Sequence, residues 1–197
     1  MTFKLGLTGS IGMGKSTTAQ MFADLGCALW DADAAVHRMY AKGGAAVAPI
    51  SAKFPSVVSD GMVSRDALKT LIQQDKTVLQ TLEAIVHPLV AQDRVDFIAA
   101  STKDITVLDI PLLFELGSEK MMDAVVCVSI PPEIQQKRVL ERGTMSVQQF
   151  ETIRDNQMPN DDKVALSDYV VITDNIEDAR LQVQAIIDEI KGQLANA

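Results

Sequence analysis

Apolar residues recur along this chain in two rhythms, and the alternation between them sets out its elements. Mainly apolar runs at 3–7, 27–30, 105–110, 124–130 and 169–172 read as short buried strands. Between them the apolar positions return every three or four residues. Met21, Phe22 and Leu25 share one face of a short helix that stops at Gly26, and Ala67, Leu68, Leu71 and Ile72 mark a helix that opens on Ser64 as its N-cap. Val78, Leu82, Ile85 and Leu89 mark a further helix, and Val183, Ile187, Ile190 and Leu194 a closing one with that face toward the core. Pro88 lacks an N–H and crowds the preceding turn, so it is expected to kink or interrupt its helix. Helices are also predicted at 34–41, weakly at 45–54, and from Pro131-Pro132-Glu133, with a loop at 55–61 that turns at Asp60-Gly61.

The first strand, helix and second strand form a βαβ unit, so the sheet is expected to be parallel, with ligands beyond the carboxyl ends of its strands. Residues 34–100 are helix-rich with no strand signal. The expected organisation is an α/β core made of 1–33, 104–136 and 163–197, an inserted helical subdomain at 34–103, and a polar excursion at 137–162 that forms a helical lid.

Composition narrows the class of partner. With 197 residues, 47% hydrophobic and 22% charged, the chain can bury an ordinary globular core. A net charge of −8 argues against a nucleic-acid surface, so an anionic ligand must meet a local basic cluster. No apolar run approaches the roughly 20 residues of a membrane span, and the N-terminal run meets Gly9 too early for a signal-peptide core. A cytoplasmic monomer or weak homo-oligomer is expected, with no membrane partner. Cys27 and Cys127 stand alone, which predicts two buried reduced thiols and neither a disulfide framework nor a zinc site.

The candidate chemistry begins at Gly9-Ser10-Ile11-Gly12-Met13-Gly14-Lys15-Ser16, which fits G-x-x-x-x-G-K-[ST] between a strand and a helix. Backbone N–H groups of such a turn converge at the positive end of a helix dipole, where a phosphate sits. Gly9, Ile11, Gly12, Met13, Gly14 and Thr17 would line that cradle, Lys15 would reach the β- and γ-phosphate oxygens, and the Ser16 hydroxyl would hold Mg²⁺. Asp31 and Asp33 follow the second strand at the same edge. One reading is helix capping, and the other is a carboxylate that orients an attacking hydroxyl or takes its proton. Asp109 ends another apolar strand, either as a turn residue or as a Mg²⁺ ligand. Arg65, a cation in a helix's first turn, is either a solvated surface residue or a contact for an anion. His87 precedes Pro88, where it is either packed or available to a ligand. Gln135, Arg138 and Arg142 fall at i, i+3 and i+7 on one exposed face with Lys137 and Arg154 nearby, as a lid laying guanidinium groups over phosphates would require.

The glycine-loop start, Asp31-Ala32-Asp33, Gly43, residues 61–65, His87-Pro88, Pro111-Leu112-Leu113-Phe114-Glu115, Gln135-x-x-Arg138-x-x-x-Arg142 and Ser167-Asp168-Tyr169-Val170-Val171 occur in the order and approximate spacing of one family. Nearly end to end, the chain resembles dephospho-CoA kinase. The resemblance implies a P-loop NTPase-type core joined to a helical CoA-binding domain and a lid, with transfer of the ATP γ-phosphoryl to the ribose 3′-hydroxyl of dephospho-CoA. It implies Asp33 as the base, with Lys15 and Arg142 acting in catalysis and Arg138 contacting nucleotide. Ser16 and Asp109 would hold Mg²⁺, and Asp33, Arg65, His87 and Glu115 would meet the acceptor. The chain departs from the family pattern at His37, where Arg is common, and at Thr173, where Asn is common.

Two other readings share the glycine loop. A nucleoside-monophosphate or shikimate-type kinase differs in its acceptor domain, and the Asp-Ala-Asp, His-Pro and Pro-Leu-Leu-Phe-Glu segments favour dephospho-CoA. The other is a non-kinase switch that binds GTP or ATP to recruit a partner; a GTPase calls for an Asn-Lys-x-Asp base-reading segment, which the chain lacks.

Overall fold

A computed structural model describes residues 2–196. In chain order its elements begin β1 (Phe3–Thr8), α1 (Lys15–Asp24), β2 (Ala28–Asp31), α2 (Ala32–Tyr40) and α3 (Val47–Lys53). They continue β3 (Val58–Ser59), β4 (Met62–Val63), α4 (Arg65–Gln74), α5 (Thr77–Ala100) and β5 (Ile105–Asp109). The chain closes with β6 (Ala124–Ser129), α6 (Pro132–Glu141), α7 (Val147–Asp155), α8 (Asn160–Ala165), β7 (Tyr169–Ile172) and α9 (Ile176–Ala195). It divides into two compact units, one running up to Trp30 and again from Ser101, the other Asp31–Ala100.

The first unit is built on a five-stranded sheet ordered β2-β5-β1-β6-β7. β1 pairs in parallel with β5 and β6, and β6 with β7, as the βαβ pattern requires. Every residue of β5 is buried, which is why Ile105, Val107 and Leu108 show no strict apolar-polar alternation. Leu5, Leu7, Val107 and Val126 meet Phe22 of α1 and Val183 and Ile187 of α9 in one core. A side chain buried as fully as Phe22 contributes about 1.5–3 kcal/mol. α9 leaves that core after Ile190, and Leu194 is 40% exposed, not core-facing as its spacing predicts. Cys27 and Cys127 are free and buried, and burial pushes both thiols up to about 11.

The second unit has its own core, in which Met39, Ile50, Leu68, Leu82 and Val86 are buried together. One expectation fails here, and of the kink or interruption expected at Pro88 the interruption does not occur. The stretch read as loop contains a small antiparallel hairpin, Val58–Ser59 against Met62–Val63, with Asp60 and Gly61 at φ 52° and 76°. Such a two-residue turn suits the twist of a hairpin, but strands this short show no alternation to read. Pro88, meanwhile, lies inside an unbroken α5. Packing of Val78, Leu82 and Val86 holds the helix, while Ala84 and Pro88 are both exposed, so water reaches the carbonyl that Pro88 cannot bond.

Candidate active site

β1 ends at Thr8, and the chain turns through the glycine loop into α1 with Gly14 as N-cap in the left-handed region. Gly14 has no room for a side chain: its φ is 92°, and a Cβ would come within 2.8 Å of Thr173 Oγ1. At Gly12 (φ 78°) a Cβ would meet Val139 Cγ2 at 2.4 Å. No side chain caps α1, its first turn carries no acidic residue, and the Thr18 N–H is the one that closes back on the Gly14 carbonyl at 3.1 Å. The earlier first-turn amides therefore stand at an open positive helix end, with Ser16 and Thr17 exposed beside them.

The loop is tied down from several directions. Met13 is buried and its sulfur accepts from the Ile130 N–H at 3.3 Å, while Thr173 Oγ1 donates to the Met13 carbonyl at 2.6 Å. Gln135 Nε2 donates to the Ile11 carbonyl at 2.7 Å, and Gln157 Oε1 accepts from the Ile11 N–H at 3.0 Å.

Lys15 and Asp109 form an ion pair. The sheet makes it possible, because Leu7 near the end of β1 is in register with Asp109 at the end of β5, and α1 begins just beyond that edge. Asp109 is 2% exposed, and the ammonium offsets the cost of burying its carboxylate. Among the described residues no cluster of three His, Cys, Asp or Glu could hold a metal ion. The donors present, an exposed Ser16 hydroxyl and the Asp109 carboxylate, fit a hard cation that takes most of its oxygens from phosphate and water.

The basic face of α6 is corrected by the structure. Gln135 is 4% exposed and turned onto the loop rather than to solvent. Arg138 donates through Nη1 to Thr173 Oγ1 at 3.3 Å and through Nη2 to the carbonyls of Thr173 and Asp174 at 2.7 and 3.3 Å. Arg142 is the exposed C-cap of the helix. With Gly14, Thr17, Thr173 and Ile176, both arginines line a cavity of about 240 Å³ beside the loop. Lys137 and Arg154 do not join them: Lys137 lies 3.9 Å from Glu141, and Arg154 is paired with Asp155 at 2.9 Å.

Glu115 accepts at Oε1 from Lys163 at 2.8 Å and from the Met158 N–H at 2.9 Å, and its Oε2 is buried with no hydrogen-bond partner. Burial alone would raise its pKa, but the Lys163 ammonium and the Met158 amide outweigh burial and hold it below the ordinary value. Lys163 is completely buried and also donates to the Pro111 carbonyl at 3.1 Å. Sequence reasoning missed Lys163, Gln157 and the bonding of Thr173, because each acts through a partner far away in the chain.

In the second unit, Asp31 caps α2 by accepting from the Ala34 N–H at 2.8 Å, and Ser64 caps α4 from the Ala67 N–H at 3.2 Å. Asp33, in the first turn of α2, lines a cavity of about 560 Å³ with Tyr40, Arg65, Leu68 and Lys69. Arg65 also borders a cavity of about 350 Å³ with His37 and Tyr40. Burial raises the Tyr40 pKa, and Arg65 opposes that rise. The structure thus brings Asp33 and Arg65 to one cavity, whereas His87 is exposed on α5 and lines neither.

Residues 3–178 match the family model described as dephospho-CoA kinase. The chain belongs to the dephospho-CoA kinase family. The dephospho-CoA kinase of Ruegeria pomeroyi is 64% identical over 191 residues, covering 97% of each chain. That of Cereibacter sphaeroides is 54% identical, covering 96% of each. The solved structure of TT1252 from Thermus thermophilus superposes with a TM-score of 0.84 at 29% identity, over 95% of this chain and 97% of that one. Membership makes this chain an ATP-dependent kinase that converts dephospho-CoA to CoA and ADP by phosphorylating the ribose 3′-hydroxyl, in CoA biosynthesis. Among the described residues no helix is long and apolar enough to cross a membrane.

Proposed function

We propose that the amides of the glycine loop, other than that of Ile11, which Gln157 holds, and of the first turn of α1 bind the ATP phosphates, and that Asp33 serves the acceptor hydroxyl. The observation that carries the reading is the Lys15–Asp109 ion pair at the mouth of an uncapped helix N-terminus. As the triphosphate arrives, Lys15 turns from Asp109 to the β- and γ-phosphate oxygens. Asp109 and the Ser16 hydroxyl would hold Mg²⁺, directly or through water, and the ion would supply charge neutralisation at the phosphate oxygens.

The acceptor occupies the Asp31–Ala100 unit, with Arg65 binding an anionic group of dephospho-CoA in the cavity it shares with Asp33. His87 and Glu115 are assigned to the acceptor as well. Asp33 orients the 3′-hydroxyl and receives its proton as the new O–P bond forms and the bond from the γ-phosphorus to the β,γ-bridging oxygen breaks, releasing ADP. The larger contribution of Asp33 is to hold the hydroxyl in line with the phosphoryl group. Arg142 meets the transferring phosphoryl from residues 137–162, acting as a lid, while Arg138 stays with the nucleotide. The protein is assigned to the cytoplasm as a monomer or weak homo-oligomer without a membrane partner, and its net charge of −8 disfavours recruitment to nucleic acid.

The test is ADP release with ATP and Mg²⁺ against dephospho-CoA, nucleoside monophosphates and shikimate, repeated with Ser16→Ala. Dephospho-CoA alone should stimulate release, and Ser16→Ala should raise the Mg²⁺ needed for half-maximal rate about tenfold. An unchanged Mg²⁺ requirement would remove Ser16 from the metal site.

A further inference from the structure

Ile11 has both of its backbone polar groups engaged by side chains from distant parts of the chain. Its carbonyl accepts from Gln135 on α6, and its N–H donates to Gln157, which follows α7. The phosphoryl-transfer chemistry assigned above uses neither glutamine.

The second glutamine is itself anchored. Met158, the next residue, donates its N–H to Glu115, whose carboxylate is paired with the completely buried Lys163. Lys163 reaches on to the Pro111 carbonyl, which also accepts from Thr8 Oγ1 at 3.2 Å, at the end of β1. A buried ammonium is tolerated only where its partners are well placed, so this pair fixes the backbone next to Gln157 against the strand end from which the loop departs.

The loop has reason to need such a hold. Gly12 and Gly14 give it a permissive backbone, and its amides must converge although their dipoles repel one another until an anion arrives. We propose that Gln135 and Gln157 are positioning residues: they clamp Ile11 from both sides and keep the glycine loop in its phosphate-binding shape before nucleotide binds, with the Glu115–Lys163 pair fixing the second of them. The proposal rests on the reading that this loop takes the triphosphate. Holding the loop in the bound shape lowers the ordering cost of binding ATP, so the clamp acts on nucleotide affinity and leaves acceptor affinity alone.

The experiment compares full-length wild type with Gln135→Met, Gln157→Met and Lys15→Met, measuring KM for ATP, KM for dephospho-CoA, kcat and Tm. Each glutamine variant should raise KM for ATP about five- to tenfold and leave KM for dephospho-CoA within about twofold. In ¹⁵N-labelled protein the Ile11 amide resonance should move upfield in Gln157→Met and hold its place in Gln157→Glu, which retains an acceptor oxygen. That comparison stands even if Gln135→Met fails to fold. Wild-type KM for ATP in a folded Gln157→Met protein would overturn the clamp, and so would identical Ile11 resonances in wild type and Gln157→Met once ADP is bound, because nucleotide would then displace Gln157. Lys15→Met separates the two levels. If it keeps wild-type ATP kinetics, the loop reading fails; if it is defective while both glutamine variants behave as wild type, only the clamp fails.

Discussion

Thr173 donates its hydroxyl to the carbonyl of Met13 at 2.6 Å, a bond that spans 160 positions of sequence and joins the end of β7 to the glycine loop. The same oxygen accepts from Arg138, so one short side chain fixes the loop and orients an arginine of the adjoining cavity. Thr173→Val keeps the shape and removes the hydroxyl. It should cost about 1–3 kcal/mol of stability, because the Met13 carbonyl loses its partner in a buried setting, and it should weaken ATP binding as Arg138 loosens. Chemical denaturation with ATP titration checks this, and unchanged values for both would show the bond to be idle.

Gly14 answers to the same residue from the other side. Gly14→Ala puts a methyl group within 2.8 Å of Thr173 Oγ1 at a φ of 92° that L-residues seldom adopt. ATP binding should fall by at least about tenfold, since loop and Thr173 cannot both keep their places. A calorimetric titration of the variant with ATP reads the loss directly.

The Glu115–Lys163 pair predicts an acid-sensitive contribution to stability. Glu115 has a lowered pKa in the folded chain, so the stability it confers is fully present above its ordinary value of 4.5 and is lost as pH falls through the lowered one. Glu115→Gln removes that dependence and leaves the buried Lys163 charge uncompensated, at a cost of about 3–5 kcal/mol near neutral pH. Lys163→Met should also destabilise the fold, because it leaves Glu115 with the Met158 amide alone and an Oε2 that is buried without a partner. Melting curves from pH 7 to about pH 3 should show the wild-type advantage over Glu115→Gln shrinking only below about pH 4.5.

How much of this was legible depended on the range of the interaction. β1, β5 and β6 are doubly buried and appear as apolar runs, and Asp31 and Ser64 cap helices through bonds to amides three residues on, so local pattern sufficed. The hairpin around Asp60 escaped because each of its strands has two residues. Pro88 does not interrupt α5 because tertiary packing outweighs a single missing hydrogen bond on an exposed helix face. On α6 the spacing of Gln135, Arg138 and Arg142 was visible, yet periodicity identifies a face without saying what that face meets. Lys163 lies in a polar stretch and reads as a surface residue; its burial follows from Glu115, 48 positions earlier, which no local window contains.

The account turns on Asp33, the carboxylate assigned to the acceptor hydroxyl. The most direct measurement pairs ATP affinity with single-turnover phosphorylation of dephospho-CoA in Asp33→Asn. ATP affinity should stay within about twofold of wild type while the rate of transfer falls by about 10²-fold or more, the range of general-base and positioning effects. Wild-type transfer in that variant would contradict the account, because the hydroxyl would then be oriented and deprotonated without Asp33.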